Sequence, residues 1–171
     1  MPGDGVWAVS GEDVVDNKRG SKELNGVEYL LQKEGSCCAL FSLCNALRYF
    51  GRSSPEPGTD KWEELERMAK CEFGSAISIK KAAKYLGIQM ISIRVEEAIY
   101  KLPAMLDVLN PRLGHALHSV LIVGGDINFV ELVNYRTKVG PVVEKLFWQE
   151  VSLPLPGNIN RRCWQLKLVE G

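Results

Sequence analysis

The chain has 171 residues, with 21 basic and 21 acidic side chains and a formal net charge of zero. That length fits one domain with a real core, and the balanced charge offers no footing for nucleic acid or an anionic membrane surface as the main partner. The longest apolar runs, such as Val120 to Val123, are too short to span a bilayer.

The N-terminus lacks the basic and apolar regions of a signal peptide, so the expected compartment is the cytoplasm. Five cysteines, an odd count in a chain without a secretion signal, are expected as free thiols. With no CxxC spacing and only two histidines, the residues argue against a structural zinc site.

Residues 1–26 are rich in Gly, Asp, Lys and Ser and read as a surface arm, with Val6 to Val9 as a short strand packed by Trp7. Val27 to Leu31 is an extended lead-in. Cys38 to Phe50 is a nearly all-apolar helix, expected to be central and buried, and Gly51 stops it. Residues 52–58 are a loop with strong turn chemistry. Thr59 or Asp60 caps a helix from Lys61 to Lys70, with Trp62, Leu65 and Met68 on its core face. Ser78 can cap a further helix that ends at Leu86-Gly87.

Alternation predicts a strand over Ile88 to Val95. Glu96 to Asn110 reads as one or two short helices broken near Pro103, and residues 111–114 are a turn. His118 to Val123 is a strand, residues 124–128 a tight connection, and Phe129 to Asn134 the returning strand. Val142 to Val151 is a strand or a short helix, and Arg162 to Val169 closes the sheet. Helices first and an antiparallel sheet afterwards make the class α+β.

The stretch Gln32 to Ser42 concentrates the chemistry. A thiol at a helix start faces unpaired N–H groups and the positive end of the helix dipole, which lower its pKa. Both Cys37 and Cys38 stand there. A nucleophilic thiol also needs a base, best held by a third group. His118 begins the hairpin and Asn134 follows sixteen residues later, so antiparallel pairing sets them side by side. The Asn134 side-chain oxygen is then expected to accept from the imidazole. His115 reads as a rim residue, Cys44 as core, Asp126 as a turn residue, and Trp148 and Trp164 as sheet-packing aromatics. Cys71 and Cys163 have no partner legible in the sequence.

This constellation resembles the papain-like cysteine peptidase superfamily. Gln32 precedes Cys38 by six residues, Cys38-Ala39-Leu40-Phe41-Ser42 keeps the family's Phe and Ser positions, and His118 reaches Gly124 six residues on. His118 lies eighty residues after Cys38, against about 130 or more in the papain group, which implies a shortened domain, similar to the compact bacteriocin-processing peptidases.

The resemblance implies a single papain-like domain over residues 1–171, with its central N-terminal helix packed against the antiparallel sheet. It implies Cys38 as nucleophile rather than Cys37, His118 as base, Asn134 as orienter and Gln32 as oxyanion donor beside the Cys38 N–H. The implied activity is hydrolysis of a peptide or isopeptide amide in a peptide or protein substrate, with no metal or organic cofactor. An amidase, deamidase or acyl transferase would use the same residues, and a catalytically idle peptide- or protein-binding domain is the reading from another class. Cys37 beside Cys38 is a candidate for oxidation to a vicinal disulfide.

Overall fold

The structure is a computed structural model and describes residues 22–24, 26–32, 37–69, 76–109, 117–136, 141–154 and 163–170. The expected strand over Val6 to Val9, His115 and Cys71 lie outside these residues.

Two short strands, β1 (Lys22–Leu24) and β2 (Val27–Tyr29), pair antiparallel across Gly26, whose φ of 82° suits the turn. The expected arm therefore ends in a strand. An Asn-Gly pair at 25 and 26 is a hairpin signal that composition alone had hidden.

Three helices follow: α1 (Cys38–Tyr49), α2 (Asp60–Ala69) and α3 (Ala76–Tyr85). Every side chain of α1 from Ala39 to Leu47 is buried, in keeping with its nearly all-apolar pattern. Thr59 caps α2, its Oγ1 accepting the Trp62 N–H at 3.3 Å. Trp62 and Leu65 are buried and Met68 packs beside them. Ser78 does not cap α3, which begins at Ala76, two residues earlier.

The main sheet contains β3 (Ile88–Ser92), β4 (Ala104–Leu109), β5 (Leu117–Gly125), β6 (Phe129–Val133), β7 (Val143–Phe147) and β8 (Cys163–Leu168). Its order is β3-β8-β4-β5-β6-β7, and all its pairings are antiparallel. At the β5–β6 turn a Cβ on Gly125 would collide with the Phe129 carbonyl, so only glycine fits.

One expectation fails at β4. Residues 96–110 read as helical, yet only Val95–Tyr100 forms a 3-10 helix, and Ala104–Leu109 is a central strand between β8 and β5. Nearly all of β4 is buried, so both its faces carry core side chains and its sequence loses the alternation of a half-exposed strand. Met105, Leu121 and Val123 meet α1 on one face, with Leu40, Leu43 and Trp62. Leu106, Val120, Ile122, Leu132 and Leu146 form a second core on the other face, closed by Val95, Ala98 and Val151. Each such leucine or isoleucine contributes about 1.5–3 kcal/mol of burial. Together the two cores fix β5 against α1, and the candidate site lies where those elements begin.

Candidate active site

Cys38 is the first residue of α1 and is half-buried, with no acidic residue in the first turn to weaken the helix dipole. The Ser119 N–H donates to its Sγ at 3.3 Å, and Ser42 Oγ, one turn along α1, donates to the Ser119 carbonyl at 3.4 Å. These bonds tie the start of α1 to the start of β5. His118, buried on β5, stands close enough to the Cys38 thiol for each group to shift the other's pKa.

Burial alone would push the Cys38 thiol up. The hydrogen bond and charge of His118, with the Ser119 N–H, outweigh it and hold the thiol below its ordinary range. At His118 burial works downward, and the bond and charge of Cys38, the Asn134 carbonyl and the Asp107 charge outweigh it and raise the imidazole. Both shifts favour a thiolate–imidazolium pair.

Asn134 follows the last residue of β6 and is buried, with a left-handed φ of 61° that Asn tolerates better than most side chains. Its contact with the imidazole differs from expectation. His118 Nε2 lies 2.8 Å from the main-chain oxygen of Asn134. A carbonyl only accepts, so Nε2 holds the proton and Nδ1 is the nitrogen left for the thiol. The Asn134 side chain turns the other way. Its Oδ1 accepts the Gln32 N–H at 3.0 Å, and its Nδ2 donates to the Leu30 carbonyl at 2.9 Å. The backbone bends out of the sheet at that residue, which separates the carbonyl's direction from the side chain's.

Gln32 is therefore joined to Asn134 through the main chain. Its own side chain is buried, and Oε1 has no hydrogen-bond partner. An unsatisfied buried amide costs about 1–3 kcal/mol, and such a group is one a ligand can satisfy.

Comparison with known proteins gives no match to a family sequence model or to a curated protein sequence. Solved structures do match. The peptidase domain of Streptococcus ComA, a bi-functional ABC transporter involved in a quorum-sensing pathway, is 18% identical with a TM-score of 0.56, covering 82% of this chain and 96% of that one. A double glycine motif protease from an AMS/PCAT transporter, solved in complex with the leader peptide, is also 18% identical. Its TM-score is 0.57, and the match covers 88% of this chain and 96% of that one.

The fold is that of a papain-like cysteine peptidase domain. Within it, the four residues singled out from sequence fall into two linked pairs, Cys38 with His118 and Asn134 with Gln32. Asn134 connects the pairs through its bond to His118.

Three residues escaped the sequence reading. Ser119 supplies the N–H to the thiol, and its hydroxyl donates to Asp107 Oδ1 at 2.6 Å. Asp107 is a buried carboxylate on β4, opposite Ser119. Assigning residues 96–110 to helix hid it, because only a strand brings it beside β5. Asn45 is fully buried in α1 and bonds both polar groups of Leu30; a polar residue inside an otherwise apolar helix was its signal.

The cysteines correct another expectation. Cys37 is buried and disulfide-bonded, while Cys38, Cys44 and Cys163 are free. With Cys38 free, the disulfide is not a vicinal one. Burial pushes the thiols of Cys44 and Cys163 up to about 12, so neither forms a thiolate at neutral pH. Among the described residues no group of His, Cys, Asp and Glu could hold a metal ion, and no helix is long and apolar enough to cross a membrane.

Proposed function

We propose that the chain is a thiol hydrolase that cleaves an amide bond in a peptide substrate. The observation that carries this reading is Cys38 at the start of α1, bonded by the Ser119 N–H, with the neighbouring His118 held by the Asn134 carbonyl; the pKa shifts of thiol and imidazole run in opposite directions toward the charged forms. The two peptidase domains of the same fold support it, one of them solved with a leader peptide.

In the proposed reaction the Cys38 thiolate attacks the carbonyl carbon. The Cys38 N–H, at the open end of α1, and the Gln32 side chain stabilise the oxyanion. Protonated His118 gives its proton to the leaving amine, and a water deprotonated by His118 then releases the acyl group from sulfur. The main-chain carbonyl of Asn134 keeps Nε2 protonated, so Nδ1 exchanges the proton with sulfur.

The test is cleavage of a fluorogenic peptide library by the full chain, with products identified by mass. Cys38→Ala and His118→Ala are each expected to lose at least about a thousandfold in kcat/KM. Product masses carrying an added amine in place of water would identify an acyl transferase. Turnover that survives Cys38→Ala would overturn the thiol mechanism.

A further inference from the structure

We infer that the Asn134 side chain is a positioning group for Gln32, acting with Asn45 as a clamp, and that the imidazole is served by the Asn134 main chain alone. The inference rests on the thiol-hydrolase reading and assigns the parts of its site.

Residues 30–32 carry extended chain from β2 toward Cys38. In a strand, the N–H and C=O of one residue and the N–H of the residue two further on point to the same side. On that side this segment meets two side-chain amides. Leu30 N–H donates to Asn45 Oδ1 at 2.7 Å, and the Leu30 carbonyl accepts from Asn45 Nδ2 at 3.1 Å and Asn134 Nδ2 at 2.9 Å. Gln32 N–H donates to Asn134 Oδ1 at 3.0 Å. An amide offers the same acceptor and donor as a peptide group, so the two asparagines stand where a neighbouring strand would stand.

The imidazole has one Nε2–H, and the Asn134 main-chain oxygen takes it at 2.8 Å. Both polar ends of the Asn134 side chain are engaged on residues 30 and 32. Truncating that side chain therefore releases Gln32 and spares the His118 bond, provided the backbone keeps its positive φ. Glycine provides that. Aspartate does not preserve the clamp, since a carboxylate oxygen would face the Leu30 carbonyl in place of Nδ2.

The experiment compares wild type with Asn134→Gly, Asn45→Ala, Gln32→Ala and the Asn134→Gly/Gln32→Ala double variant, using two reactions of Cys38 in the full chain. Alkylation by iodoacetamide across pH reports the thiolate–imidazolium pair and develops no oxyanion. Acylation by p-nitrophenyl acetate forms the sulfur–carbon bond, places negative charge on the carbonyl oxygen, and expels p-nitrophenolate on collapse.

Asn134→Gly is expected to keep the alkylation profile and to lose at least about tenfold in acylation rate, as for a weakened oxyanion donor. The double variant is expected to be no slower than Gln32→Ala, because both changes act on one group. Asn45→Ala, which touches nothing at His118, is expected to show the same split and carries the test if Asn134→Gly does not fold.

A displaced alkylation profile in Asn134→Gly would return the side chain to the imidazole and overturn the inference. Wild-type acylation rates in both asparagine variants would overturn it equally. Wild type no faster in acylation than Cys38→Ala would instead bring down the hydrolase reading, and the inference with it.

Discussion

The main-chain oxygen of Asn134 lies 2.8 Å from Nε2 of His118. Because the acceptor belongs to the backbone, the ring is oriented by the path of the chain after β6. The imidazole is held with Nε2 protonated whatever side chain stands at position 134, provided that residue keeps its left-handed φ.

The pair that this geometry sets up is expected to give a bell-shaped pH profile for kcat/KM. Below the lowered pKa of Cys38 the thiolate gains a proton; above the raised pKa of His118 the imidazolium loses one. The acid limb is thus expected below the ordinary thiol value of about 8.5, and the alkaline limb above the ordinary imidazole value of about 6.5. In His118→Ala burial still raises the thiol pKa and the Ser119 N–H and hydroxyl still lower it, but the bond and charge of His118 are gone, so the thiol pKa is expected to rise relative to wild type. Thiolate absorbance near 240 nm, followed through a pH titration of both proteins, checks this.

Thiol accounting separates the cysteines by environment. In the native, unreduced chain a charged alkylating reagent is expected to modify Cys38 at neutral pH and to leave Cys44 and Cys163 untouched, since burial holds both near 12. Cys37 is expected to react only after reduction, because its sulfur is in a disulfide. Peptide mapping before and after reductant gives each residue's state. Free Cys37 in the native protein would contradict the structure, and so would rapid native labelling of Cys44.

Asp107 acts on the pair from a distance. Its carboxylate accepts from Ser119 Oγ at 2.6 Å and its charge helps to raise the His118 pKa. Asp107→Asn keeps an acceptor for the hydroxyl and removes the charge. The alkaline limb of the pH profile is therefore expected to move down, and Asp107 stands behind burial, Cys38 and the Asn134 carbonyl among the causes. The acid limb is expected to change less. A steady-state profile of this variant beside wild type measures both limbs.

The start of α1 and the β5–β6 hairpin were legible because their signals are local. Cys38 heads an apolar run that ends at Gly51, and His118 and Asn134 flank a hairpin whose tight turn is marked by glycine. What sequence could not supply was direction at Asn134. A positive φ at one residue decides whether carbonyl or side chain meets the imidazole, and periodicity carries no information on it. Strand β4 was lost for a different reason. Ala104–Leu109 is apolar on both faces, and such a run has no period to tell strand from buried helix. With β4 went Asp107, whose relation to Ser119 exists only through strand register.

Glu144 gives a prediction about stability. It sits on β7, buried, with Arg136 at 3.3 Å from its carboxylate and its other oxygen without a hydrogen bond. An ion pair invites the view that Glu144 stabilises the fold. Burial decides otherwise: it pushes the carboxyl from 4.5 up to about 7, with Arg136 pulling down and Glu150 adding to the rise. The folded chain then holds a proton that the unfolded chain releases. Between about pH 4.5 and 7 the folded state binds more protons, so stability falls as pH rises through that window and levels off above it. The full penalty reaches roughly 3 kcal/mol, at about 1.4 kcal/mol per unit. Glu144→Gln removes the charge and keeps the shape. It is expected to be near wild type in stability at pH 5 and more stable by roughly 1–3 kcal/mol at pH 8.5. Urea denaturation at the two pH values measures the difference; a Gln variant less stable than wild type at pH 8.5 would mean that the Arg136 pair outweighs burial.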